Sequence, residues 1–143
     1  MTVRARDMLD AKGREVITVE PGASLEDAIE TLAQHGIGAV LVVEGRDVRG
    51  VVSERDVVRV LAGAPTGFRE TPVLEVMTTP VHTAGPDDTV DELLDQMTMR
   101  RVRHLPVCEE GHLTGILSIG DVVKHRIRIA KQEAEDLRGY IQG

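Results

Sequence analysis

The chain is poor in aromatic side chains and in cysteine. Among its 143 residues only Phe68 and Tyr140 are aromatic and tryptophan is absent, so the stacking platforms that hold single-stranded nucleic acid are missing. Aliphatic side chains must fill the core. Cys108 is the single cysteine, which excludes an intrachain disulfide and a cysteine-rich zinc site and fits a reducing compartment. Cationic excess is missing as well. Seventeen Lys and Arg against 24 Asp and Glu leave a net charge of −7, which opposes long-range attraction to phosphate backbones, so no nucleic-acid partner is expected. The longest apolar run, Ile37 to Val43, is far short of the roughly 20 residues that span a bilayer, and the opening Met1-Thr-Val-Arg-Ala-Arg-Asp7 lacks a signal-peptide core. A cytoplasmic protein with no membrane partner is the expectation.

Catalytic groupings are also lacking. There is no nucleophile elbow, no Walker-type glycine loop and no zinc-binding histidine pair, so neither an enzyme nor a metal site is expected. His35, His82, His112 and His125 have no ligand spacing. Cys108 falls in an apolar run, where a buried thiol acting as a small hydrophobe is the main reading and redox sensing a minor one.

What the chain does have is a copy of itself. Sliding it by 65 residues aligns 16–59 on 81–124 without a gap and with ten identities, among them Pro21/Pro86, Gly50/Gly115, Ser53/Ser118 and Asp56/Asp121. About three would arise from ordinary residue usage. Each copy reads as strand, helix, strand, strand, helix. Val16 to Val19 is a β-branched run stopped by Pro21 and Gly22. Ser24, three residues before Asp27, is a candidate N-cap, and Thr89-Val-Asp-Glu92 is a cleaner capping box in the second copy. Leu25, Ala28, Ile29 and Leu32, and Val90, Leu93, Leu94 and Met97, recur at helical spacing. Ala39 to Val43 and Val48 to Val52 flank a glycine turn, and Leu105 to Cys108 and Leu113 to Leu117 repeat that hairpin. A further helix opens at Ser53 with Val57, Val58 and Leu61 on one side and ends at Gly63. The Gly- and Pro-punctuated stretch 63–74 reads as a linker. Domain bounds of 1–62, 75–126 and a helical extension 127–143 follow. Copies of about 45 residues are individually marginal and should pack together.

Gly50-Val-Val-Ser-Glu-Arg-Asp56, Gly115-Ile-Leu-Ser-Ile-Gly-Asp121, Arg103-His-Leu-Pro-Val107 and Val76-Met-Thr-Thr-Pro80 give the chain a resemblance to tandem cystathionine β-synthase (CBS) domains, the Bateman module. The resemblance covers residues 3 to 126. It implies an α/β (α+β) fold of two β-α-β-β-α repeats with pseudo-two-fold symmetry plus a C-terminal helix. It also implies a stand-alone, non-catalytic sensor that holds an adenosine-containing ligand in clefts between the repeats. AMP leads that list, with ADP, ATP, S-adenosylmethionine and NAD(H) behind it, and energy sensing would be the role. The Asp of the motif would bind ribose hydroxyls and the Ser three residues earlier would lie beside phosphates, which assigns Ser53, Asp56, Ser118 and Asp121. Thr18 and Thr83 would present backbone to the base.

The residues themselves leave alternatives open. Ser-x-x-Asp is also a capping-box variant that needs no ligand. Arg55 in a first helical turn opposes the macrodipole unless an anion lies near, but it can also point to solvent or pair with Glu54 or Glu30. Gly120 replaces it in the second copy and permits close backbone approach, so the two sites should differ. Arg103 or His104 could reach a phosphate there or stay solvated, while Arg100 and Arg101 read as a solvated helix end. Thr18 and Thr83 could be ordinary β-formers. Beyond Asp121, Val123, Ile127, Ala130, Ala134, Leu137 and Ile141 form a heptad seam. That seam suits packing against a neighbouring subunit or against the module itself; the resemblance to CBS pairs implies a homodimer, with an unknown regulated protein as further partner, and the alternatives are a monomer whose tail folds back or a dimerisation module with unoccupied clefts.

Overall fold

The computed structural model describes residues 2–63 and 66–142. Ala64 and Pro65 of the expected linker lie outside the described residues. Eleven elements follow in order. They are α1 (Ala5–Lys12), β1 (Thr18–Val19), α2 (Leu25–His35), β2 (Ala39–Glu44), β3 (Asp47–Ser53) and α3 (Glu54–Gly63), then α4 (Val73–Val76), α5 (Val90–Arg100), β4 (His104–Glu109), β5 (His112–Ser118) and α6 (Ile119–Gln142). The repeat is therefore visible in the element string, and the fold is the mixed α/β one expected.

The chain divides into two compact units that do not follow sequence order. One combines residues 16–81 with 111–113; the other combines 1–15 with 82–110 and 114–143. Each repeat is thus completed by a lead-in segment that precedes the other repeat. In the first-repeat unit, β1 runs parallel to β2, which pairs antiparallel with β3, with Val42 opposite Gly50. Val19, Leu25, Ala28, Leu32, Val40, Val42 and Val52 bury against Val73 of α4, and Phe68 packs beside them. In the second-repeat unit, Val90, Leu93, Met97, Leu105, Val107, Leu117 and Val122 close over Ala5, Met8 and Leu9 of α1.

The glycine shared by both hairpins explains how the lead-ins dock. A Cβ on Gly50 would stand 2.4 Å from Met77 Sδ, and one on Gly115 would stand 2.6 Å from Leu9 Cδ2. Each glycine makes room for one side chain of a lead-in, because close packing leaves no space for both. Residues 66–76 are accordingly more than a connector. Leu25 and Glu26 donate their N–H groups, free at the start of α2, to Thr71 and Arg69 carbonyls at 2.8 and 2.9 Å.

Several expectations change. The strand expected over Val16 to Val19 shortens to two residues, and its second copy reduces to a single parallel bridge, Ala84 to Val107. The cause is Pro106, which stands where the first copy has Leu41 and has no N–H to donate to the ladder. The cleaner capping box is the first, not the second. Ser24 Oγ accepts from Asp27 N–H at 3.1 Å while Asp27 Oδ2 accepts from Ser24 N–H, whereas Glu92 takes the Thr89 hydroxyl and Thr89 bridges to Arg4. The apolar side of α3 splits: Val57 and Val60 pack on the core, and Val58 and Leu61 are exposed. The helix expected to open the second repeat's end and the extension beyond it are one continuous α6 of 24 residues. Its Val122 and Ile129 pack inward, while Val123, Ile127, Leu137 and Ile141 of the seam are exposed. Among the described residues, no helix is long and apolar enough to cross a membrane.

Candidate functional site

Each hairpin hands its last residue, a serine, to the helix that follows, and the two junctions share the same three bonds. Ser53 N–H donates to Asp56 Oδ2 at 2.8 Å, and Ser118 N–H donates to Asp121 Oδ2 at 2.8 Å. In return Asp56 N–H donates to Ser53 Oγ at 3.3 Å and Asp121 N–H to Ser118 Oγ at 3.1 Å. The first helical N–H of α3 reaches Gly38 O at 3.0 Å, and that of α6 reaches Arg103 O at 2.7 Å. Both serines therefore cap their helices, and the acids reach back as in a capping box. The cap reading of Ser-x-x-Asp is satisfied in both copies.

What else touches the two carboxylates differs. Asp56 is 3% exposed. Its Oδ2 also accepts the Ser53 hydroxyl at 3.0 Å, and its Oδ1 accepts the Thr78 hydroxyl at 2.9 Å and, loosely, Arg59 at 3.4 Å. Thr78 comes from the segment after α4, where it also exchanges backbone bonds with Val51. Protein donors thus hold every face of this acid. Asp121 is only partly buried. Its Oδ2 accepts Lys12 Nζ at 2.6 Å, and the same ammonium donates to the Ile116 carbonyl at 2.9 Å. Burial pushes the Asp121 carboxyl up, but Lys12 and two bonds from Ser118 outweigh it, so it lies below its ordinary value.

His104 begins β4 beside this pair. Its pKa is lowered, first by loss of water around the ring, then by the Lys12 charge, with Arg103 adding to the effect and Asp121 opposing it. Gly120 is exposed in the first turn of α6, and a Cβ there would meet only Ser118 Oγ at 3.6 Å. The second-repeat unit therefore gathers Ser118, Gly120, Asp121, His104 and Arg103 at one helix start, as the sequence suggested, and adds Lys12.

The remaining expected residues stand apart from these carboxylates. Arg55 is exposed on the first turn of α3 and makes no ion pair among the described residues. Thr18 is exposed at the start of β1. Thr83 is exposed too; burial pushes the Cys108 thiol pKa up, and nearby Thr83 opposes that shift. Arg100, expected to be merely solvated, donates to His82 Nδ1 at 2.6 Å, and Arg101 adopts φ 54° as the C-cap of α5. Sequence reasoning missed Lys12 and Thr78. Thr78 lay within a motif already singled out, but no local pattern ties Lys12 to an acid 109 residues away.

Comparison with known proteins agrees with this architecture. The CBS domain family matches residues 5–63 and 73–128. The chain is 30% identical to the CBS domain-containing protein YhcV of Bacillus subtilis, across 82% of this chain and 84% of that one. It is 44% identical to the crystal structure of the CBS-domain containing protein ATU1752 of Agrobacterium tumefaciens, with a TM-score of 0.79 over 87% of this chain and 99% of that one. It shares its fold, at 23% identity and a TM-score of 0.73 over 92% of this chain and 99% of that one, with the CBS domain pair of protein MJ0100, solved with 5′-methylthioadenosine and S-adenosyl-L-methionine. CBS pairs are commonly regulatory ligand-binding modules rather than catalysts. Two copies of one hairpin–helix unit, each capped by Ser-x-x-Asp, and two family matches that together span most of the chain make it a member of the CBS domain family, carrying a tandem pair.

Proposed function

We propose that this CBS pair is a non-catalytic regulatory module that binds an adenosine-containing nucleotide, AMP foremost, and passes the event on through a homodimer. The observation that carries the reading is the head of α6, where Asp121, Ser118 and the flat, exposed Gly120 lie beside Lys12, Arg103 and His104. A carboxylate that accepts ribose hydroxyls next to donors for phosphate is the chemistry an adenosine phosphate requires. Binding of methylthioadenosine and S-adenosylmethionine by the MJ0100 pair supports the ligand class. Ser53, Asp56, Arg55 and Thr18 form the corresponding set of the first repeat, with Thr83 the counterpart of Thr18 in the second. Occupancy regulates only if the ligand prefers one conformation, so a downstream partner must read that conformation.

The dimer rests on the uncovered seam of α6. Ile127, Leu137 and Ile141 are more than half exposed, together with Tyr140, on a helix that runs past the core it starts from. An apolar stripe at heptad spacing on a terminal helix suits a second copy of itself.

The decisive experiment is a thermal melt with a panel of adenosine compounds. Ligand at 100 times its dissociation constant should stabilise the fold by about 2.7 kcal/mol. A dimerisation module whose carboxylates serve only as caps is the competing reading, favoured by the fully partnered Asp56. A panel that shifts nothing, with a dimer in sedimentation, would establish it instead.

A further inference from the structure

The lead-ins meet the two acids differently, although Asp56 also has a cation, Arg59 of its own helix, 3.4 Å from Oδ1. In the first repeat the lead-in presents the neutral Thr78 hydroxyl to the acid; in the second it presents the Lys12 ammonium, bridging Asp121 Oδ2 at 2.6 Å and the Ile116 carbonyl at 2.9 Å. A lysine in the last turn of α1 is favourable for the helix on its own account. The dipole does not explain its aim, which is the start of another helix. The ammonium sits on a flexible four-carbon stem and is partly exposed, so it can change partner without unpacking α1.

Resting on the reading of this motif as an adenosine site, we propose that Lys12 sets which adenosine compounds the second repeat accepts. A ribose hydroxyl that bonds Asp121 Oδ2 takes the oxygen Lys12 now holds, and the displaced ammonium turns to the ligand's phosphate. Every charged group then keeps a partner: the carboxylate accepts from the hydroxyl, and the phosphate accepts from lysine. A ligand with a neutral tail, such as methylthioadenosine, breaks the same ion pair and returns nothing to the ammonium but water. A ligand with a sulfonium tail places like charges together. Arg103 adds positive potential on the same side, so the repeat selects adenosine phosphates over both classes. The first repeat's lead-in presents Thr78 instead of an ammonium, and its only cation on the acid is the looser Arg59 contact at 3.4 Å.

Calorimetric titration of the full chain with AMP, ATP, methylthioadenosine and S-adenosylmethionine tests this, in wild type and in the Lys12→Met and Lys12→Gln variants. Both substitutions should weaken AMP and ATP at one site by about tenfold or more, the scale of one charge-assisted contact, and should leave methylthioadenosine unchanged or tighter. Lys12→Arg should retain the preference for phosphates. An equal change for all four compounds, or none, would overturn the role of Lys12 while leaving the site reading in place. If wild type bound none of the four, the site reading itself would fail and Lys12 would be a structural ion pair only.

Discussion

The two repeats share a backbone junction and differ in what holds its acid. In the first, the buried Asp56 carboxylate accepts serine and threonine hydroxyls; in the second, the part-exposed Asp121 pairs with a lysine ammonium. The same motif has thus been put to two uses. The buried Asp56 carboxylate ties the segment after α4 to the hairpin, because removing it leaves the Ser53 amide and the Thr78 hydroxyl without their acceptor. A carboxylate held by one ammonium can exchange its partner, because both charges retain access to water.

The comparison breaks first at the hairpin glycines. Gly115→Ala should destabilise the protein by about 2–3 kcal/mol in urea melts, since the fully buried, branched Leu9 cannot swing away. Gly50→Ala should cost less, because Met77 is unbranched and only partly buried. Equal losses would mean that the lead-ins pack alike.

The acids come next. Asp56→Ala should cost about 2 kcal/mol in the same melts, leaving the Ser53 amide and the Thr78 hydroxyl without an acceptor. Asp121→Ala should cost about 1 kcal/mol, the loss of a cap partner. If the order reversed, the contrast between a buried and an exchangeable acid would be wrong.

The Lys12–Asp121 pair should contribute about 1 kcal/mol or less, as part-exposed pairs do. The folded-state pKa of Asp121 is lowered. The contribution is therefore complete above the ordinary carboxylate range and fades as pH falls through Asp121's own lower value. Stability of wild type and of Lys12→Met, followed from neutral pH into acid, should converge; a gap independent of pH would show that Lys12 acts by packing. The smallest effect concerns the ends of α2 and α5. Gly36 takes φ 61° without strain, whereas Arg101 holds φ 54° in the same place. Arg101→Gly should therefore be neutral or stabilise by about 0.5 kcal/mol in thermal melts.

Much of this was legible in the linear chain, for physical reasons specific to each feature. The hairpins announce themselves because a turn needs backbone at positive φ, as at Gly45 and Gly111, between alternating aliphatic runs. The serine caps are legible because their bonds span three residues. The failed strand at Val81 to Thr83 was equally written there, in Pro106, but only its pairing register reveals which donor the proline removes. The split face of α3 was not legible, since helical periodicity groups Val57, Val58 and Leu61 without saying which neighbour covers them.

From the order of residues alone follow the duplication, the hairpin–helix unit and the acids at its helix starts, because each depends on spacings of a few residues that local backbone geometry enforces. Only the folded chain decided which lead-in completes which repeat, and hence that Asp56 meets a hydroxyl and Asp121 an ammonium. Those partners are joined by burial of Leu9 and Met77 against two glycines, and packing of that kind leaves no periodic trace in sequence.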